Sequence, residues 1–149
     1  MAKVPAIEQT FYYAVPVDRV YAALTDPRRL AEWFVDKARI TAKKGGSFRF
    51  TWGTYTLRGK VRGAEPPKRL ILLWVDRFKG GKVFETEVRF ELRKRRKGTL
   101  LTVTHSGFKD GKRWVALFGS IQSGWAHYLT NLKSVLEHGV DLRSDLHEL

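Results

Sequence analysis

The chain has 149 residues, the size of one domain with one core, and 43% hydrophobic content argues against disorder although 29% of residues are charged. With no cysteine, it can have no disulfide framework, thiolate nucleophile or cysteine metal site. Twenty-eight Lys and Arg against 15 Asp and Glu give a net charge of +13, while no run of about 18 apolar residues is present to form a conventional membrane span.

Ile7 to Ala14 is rich in aromatic and β-branched residues and predicts a first strand. Pro16 opens a short helix with Asp18 in its first turn and Val17, Val20, Tyr21 and Leu24 on its apolar face. Asp26-Pro27 caps and starts a second short helix that ends around Trp33-Phe34.

The period then changes to two. Phe48, Phe50 and Trp52 alternate with polar residues, as do Tyr55, Leu57, Gly59 and Val61. The same holds for Phe84, Thr86, Val88, Phe90 and Leu92, and for Leu101, Val103 and His105. Such alternation predicts antiparallel strands with one dry face and one wet face. Leu70 to Val75 is continuously apolar, which leaves its register open. Gly45-Gly46, Pro66-Pro67, Gly80-Gly81 and Lys97-Gly98 read as the short turns between sequential neighbours.

After Arg113 the period becomes helical. Trp114, Leu117, Phe118, Ile121, Trp125, Tyr128, Leu129, Leu132, Val135 and Leu136 follow one apolar stripe of about seven turns, with Gly139 as the stop. Gly119 and Gly124 lower its propensity and permit a close approach or a bend. Asp141 to Leu149 is polar, with no evident role and an expectation of mobility.

The expected fold class is therefore α+β over residues 1–149, as a single domain. A curved antiparallel sheet of about seven strands wraps a long C-terminal helix, with two short helices after the first strand. A dry void of about 300 Å³ beneath that helix would forfeit about 7 kcal/mol, comparable with the net stability of a domain. Aromatic side chains, a ligand or water must therefore fill the space.

The order of elements, together with several short segments, resembles the START-like superfamily, which includes the birch-pollen-allergen fold and the polyketide cyclases. The segments are Val20 to Pro27, Trp33, Gly45 to Phe48, Pro66 to Leu70 with Trp74, Gly98-Thr99, Thr102 to Phe108, and Gly124-Trp125 with Leu129 and Leu132-Lys133. Within that superfamily the chain is most similar to single-domain relatives of the activator of the ninety-kilodalton heat-shock protein's ATPase. The resemblance implies a helix-grip fold and lipid or small-ligand binding, cyclase activity or chaperone regulation. The chaperone activator carries a further N-terminal domain needed for full activity, for which these 149 residues leave no room.

The candidate ligand-binding residues are Trp33, Phe50, Trp52, Tyr55, Trp74, Phe84, Val88, His105, Phe108, Leu117, Phe118, Ile121 and Trp125, all of which serve equally well as core. Phe118, Ile121 and Trp125 lead, because they lie on the helix face that should look into the sheet. His105 shares the inward parity of Leu101 and Val103, where it orients a ligand or, as the simpler reading, is a hydrogen-bonded structural histidine. Gln9 and Thr86 are the other inward polar groups, whereas Glu85, Glu87 and Glu91 point outward. No catalytic set, metal-ligand spacing or cofactor motif stands out.

The leading expectation is thus a non-enzymatic binder of an apolar or aromatic small molecule. The alternative is a protein-interaction module acting on a chaperone. Nucleic-acid binding through the basic surface, chiefly the Arg93 to Lys97 run, and a cyclase-like enzyme rank below these. Met1 to Ile7 shows no secretory signal pattern, so the expected location is cytoplasmic.

Overall fold

The computed structural model describes residues 3–78 and 80–144. Strand β1 (Ile7–Tyr13) leads into helices α1 (Val17–Thr25) and α2 (Pro27–Trp33). Six strands follow: β2 (Lys37–Ile40), β3 (Ser47–Trp52), β4 (Tyr55–Glu65), β5 (Arg69–Arg77), β6 (Val83–Arg95) and β7 (Gly98–Ser106). Helix α3 (Lys112–His138) closes the chain over 27 residues, about 40 Å.

All pairings are antiparallel, in the order β1-β7-β6-β5-β4-β3-β2, so the sheet curves between two edge strands, β1 and β2. An extra residue, Arg62, interrupts the pairing of Val61 with Leu72 and of Gly63 with Ile71. A bulge of this kind increases local twist and bends a strand round what it covers. Gly59 faces inward opposite Phe48, and a Cβ there would collide with the Phe48 ring and the Leu73 carbonyl. Only glycine lets that ring lie across the strand.

The run Leu70 to Val75, ambiguous in sequence, resolves into Leu70, Leu72 and Trp74 inward, with Ile71, Leu73 and Val75 half-buried on the outer face. The basic hairpin differs from expectation by one residue. Arg96 and Lys97 make the turn, and Gly98 already pairs with Arg95 in β7. Gly98 is needed because a side chain would strike Tyr12 and the Tyr13 carbonyl.

The buried residues of α3 are Trp125, Leu129, Asn131, Leu132 and Leu136, all in its C-terminal half. This half is clamped to β1. The Tyr13 hydroxyl donates to the Leu129 carbonyl at 2.9 Å, Lys133 donates to the Tyr12 carbonyl, and Glu137 accepts from the Ala14 N–H. Burial pushes the Tyr13 phenol well above its ordinary value, so it stays a donor. The N-terminal half stands off the sheet and is pinned by rings instead. Trp114 lies edge-on to Phe78, Phe84 and Phe108, while Phe118 meets Phe108 at 5.9 Å.

The segment after Gly139 corrects the expectation that it lacks a role. Asn131, fully buried, donates to the Trp33 carbonyl and to Asp141, and accepts from the Leu142 N–H. Arg143 donates to the carbonyls of Ala31 and Val35 at the end of α2 and pairs with Asp141 at 2.9 Å. Free carbonyls at a helix end need such donors, and the guanidinium supplies two. The hydrogen bonds from Arg143 hold the Asp141 carboxyl down at about 2. The remaining part of the expectation, over residues 145–149, lies outside the described residues. Arg143→Ala should lower stability by about 1–2 kcal/mol in urea unfolding, whereas Arg93→Ala on the exposed hairpin should change it by less than about 0.5 kcal/mol.

Candidate functional site: an aromatic cavity beneath the helix

Where the two halves of α3 meet, a cavity of about 250 Å³ remains between helix and sheet. Trp52, Tyr55, Leu57, Trp74 and Asp76 line it from strands β3 to β5. Ile121, Gly124, Trp125 and Tyr128 close it from α3, and Phe34 forms its inner end. Tyr55 is 46% exposed, so the cavity opens to solvent beside the β3–β4 turn.

Phe34 organises this wall. Its ring lies 4.8–5.8 Å from those of Trp33, Phe50, Trp52, Trp125 and Tyr128, stacked on two and edge-on to three. Offset stacking and edge-on contact are the favourable geometries for aromatic pairs. The Trp52 indole donates to the Phe34 carbonyl at 2.6 Å, fixing the position of both.

Trp125 is held from behind. Its indole N–H donates to His105 Nδ1 at 3.0 Å, and His105 Nε2 lies 2.8 Å from Thr86 Oγ1. An indole only donates, so Nδ1 is the acceptor, Nε2 carries the proton and Thr86 receives it. His105 is 0% exposed, and burial lowers its ionisation to about 3. At neutral pH it is an uncharged brace between β6, β7 and α3. Trp74 lies edge-on to His105 at 4.9 Å and also walls the cavity.

Two polar groups stand out near the cavity. The indole N–H of Trp74 is buried and, among the described residues, has no hydrogen-bond partner. Asp76 lines the opening, accepts from the Tyr55 hydroxyl and from the Arg77 N–H, and has its carboxyl pushed up by burial. The chemistry on offer is an apolar slot with one carboxylate in its lining. Among the described residues no group of three or more His, Cys, Asp or Glu is arranged to hold a metal ion, and no helix is long and apolar enough to cross a membrane.

Of the residues singled out from sequence, Trp52, Tyr55, Trp74, Ile121 and Trp125 come together at this cavity. Trp33, Phe50 and Val88 are instead closed core, with the Trp33 indole donating to the Ala23 carbonyl. His105 stands behind the wall. Phe84, Phe108 and Phe118 belong to the ring cluster at the helix start, and Leu117 is half-buried outside the cavity lining. Gln9 reaches the Gln122 carbonyl of α3.

Phe34, Leu57, Asp76, Gly124 and Tyr128 were not singled out. Leu57 follows from the parity of Tyr55, Asp76 from that of Trp74, and Tyr128 from the helical stripe. Gly124 serves neither a close approach nor a visible contact, because a Cβ there would meet nothing within 4 Å. It leaves the cavity wall thin.

The comparisons agree with this architecture. Residues 14–137 match the family model described as Activator of Hsp90 ATPase homolog 1-like protein. No curated protein matches the sequence significantly. Among solved structures, protein MLL2253 from Mesorhizobium loti superposes with a TM-score of 0.79 at 23% identity, over 89% of this chain and 97% of that one. The Aha1 dimer from Colwellia psychrerythraea gives 0.77 at 22% identity, over 91% and 98%. CalU16 from Micromonospora echinospora gives 0.68 at 28% identity, over 87% and 77%.

Protonation of His105 must break its bond from Trp125, which fixes the sign of its pH dependence. The folded value lies below the ordinary 6.5, so its contribution is complete above pH 6.5 and is lost as pH falls towards 3. Denaturant titrations between pH 6 and 4 should show the native chain losing up to about 1.4 kcal/mol per pH unit more than His105→Gln. Parallel slopes would remove the brace from this account. With its aromatic cavity, its seven-stranded sheet and its matched core region, this chain belongs to the Activator of Hsp90 ATPase homolog 1-like family, within the START-like superfamily.

Proposed function

We propose that the protein binds one small apolar or aromatic molecule in the cavity between β3–β5 and α3. The observation that carries this reading is a 250 Å³ space walled by three indoles. An apolar void forfeits the packing contacts of the side chains that line it. An occupant with a compact ring body would restore those contacts. Asp76 at the opening would accept from a hydroxyl or amine on the same molecule. The cavity lies just below the usual size of ligand pockets, which favours a compact ring system over a long chain.

Three of the five tryptophans line the cavity, so their fluorescence reports occupancy directly. Titration with compact aromatic compounds, fatty acids and sterol-like compounds should give saturable one-to-one quenching by a compact ring compound. Gly124→Leu should weaken that binding at least about tenfold, a loss of about 1.4 kcal/mol, by adding side-chain bulk to the cavity wall at a position where a Cβ meets no protein atom within 4 Å. Gly124→Ala should raise stability by about 0.5–1 kcal/mol through helix propensity. Unchanged binding in Gly124→Leu would place the ligand elsewhere.

Family membership favours a second reading, action on a chaperone of the Hsp90 type. Stimulation of such a chaperone's ATPase by the purified chain, unaffected by Gly124→Leu, would support it over the first.

A further inference from the structure

The outer face of the sheet carries an arrangement that neither the cavity nor the family description accounts for. Register places Arg39 opposite Arg49, and Arg49 opposite Arg58, across β2, β3 and β4. Three arginines thus stand in one row, their backbones at intervals of about 5 Å. Lys37 lies to one side of the row and Lys60 to the other, and all five are exposed. None makes an ion pair or a side-chain hydrogen bond among the described residues. The next residue along the row is Val75, and the first carboxylate beyond it is Glu85, about 10 Å from Arg58.

Like charges directly opposite on neighbouring strands destabilise the pairing. Of the other cations on this face, Arg62 and Arg89 pair with Glu87 and Arg69 with Glu65 and Glu91, whereas Arg77, Arg93 and Arg95 make no ion pair among the described residues. Four of the five, Arg39, Arg49, Arg58 and Lys60, border one groove of about 760 Å³ that no carboxylate lines.

We infer that this face docks on the phosphate backbone of double-stranded nucleic acid, without sequence selection. Arginine forks match phosphate oxygens in pairs, and the row of three spans about 10 Å, within the roughly 12 Å width of a DNA major groove. Ser47, Thr51 and Thr56 place further donors among the cations. A single strand would need exposed rings for base stacking, and the outward positions of β2 to β4 hold none. A membrane surface would need protruding apolar side chains, whereas Ile71, Leu73 and Val75 on this face are half-buried. The net charge of +13 adds long-range attraction to the same partner.

The inference is independent of the cavity and is tested by anisotropy of a labelled duplex of about 20 base pairs of arbitrary sequence. Binding is expected at 50 mM salt, with a loss of about 100-fold at 200 mM for four phosphate contacts. Arg49→Gln with Arg58→Gln should weaken binding at least about tenfold. Arg93→Gln with Arg95→Gln, an equal change of charge on the far hairpin, should alter it less than about threefold. If the first pair of changes unfolds the chain, Arg39→Gln on the edge strand alone must still weaken binding more than the hairpin pair does. No binding at 50 mM salt, or equal losses from the two double variants, would overturn the inference. So would preferential binding to phosphatidylserine vesicles or polyglutamate that the duplex does not displace.

Discussion

A hydrogen bond in a dry interior, from the Trp125 indole to His105, ties the middle of the long helix α3 to the sheet. Trp125 is the first buried residue of α3, and everything C-terminal to it packs on the stripe Leu129, Leu132 and Leu136. His105 in turn is held by Thr86, so one rigid line of polar atoms joins β6, β7 and α3. Buried polar groups are costly unless fully paired, and each member here supplies what the next one needs. The neutral imidazole is part of that economy, since a charge at this point would have no counter-ion beside it.

The cavity follows from how α3 is divided. Its C-terminal half is seated by apolar burial and by the Lys133, Glu137 and Asn131 contacts to β1, α2 and the following segment. Its N-terminal half is held off by large rings, with Trp114 and Phe118 against Phe78, Phe84 and Phe108. Two anchorages at different heights leave a wedge between them. Gly124 stands at the junction and adds no side chain, and Phe34 blocks the deep end. Rigid indoles around such a space resist collapse, because close-packed rings cannot move singly into it.

The two faces of the sheet follow opposite rules. The inner face is aromatic and keeps its few polar groups paired, apart from the Trp74 N–H. The outer face is polar: Arg62, Arg69 and Arg89 are paired with Glu65, Glu87 and Glu91, while the arginine row across β2 to β4 has no carboxylate partner among the described residues. A small-molecule site and a polyanion surface can therefore coexist without sharing a residue. Charge near one does not enter the low-dielectric interior of the other.

Most of the fold was legible in the sequence because local physics dictates it. Alternation of Phe84, Thr86, Val88, Phe90 and Leu92 makes a two-faced strand, and the Trp114 to Leu136 stripe makes one helix. Asp26-Pro27 and Gly139 mark helix ends through the same local chemistry. Parity also turned His105 and Thr86 inward, and a resemblance to known sequences supplied the family. What the sequence could not decide was which inward rings enclose space and which exclude it. Trp33 and Trp52 look alike in pattern, yet one is sealed under α2 and the other walls the cavity. The same limit hid the arginine row, because its members are ten and nine residues apart and meet only through strand register. It also hid Arg143, whose carbonyl partners lie 108 and 112 residues away. The sequence determined the elements and their faces, since these depend on neighbours along the chain. Only the tertiary structure decided the cavity, the brace and the charge row, since these depend on distances across it.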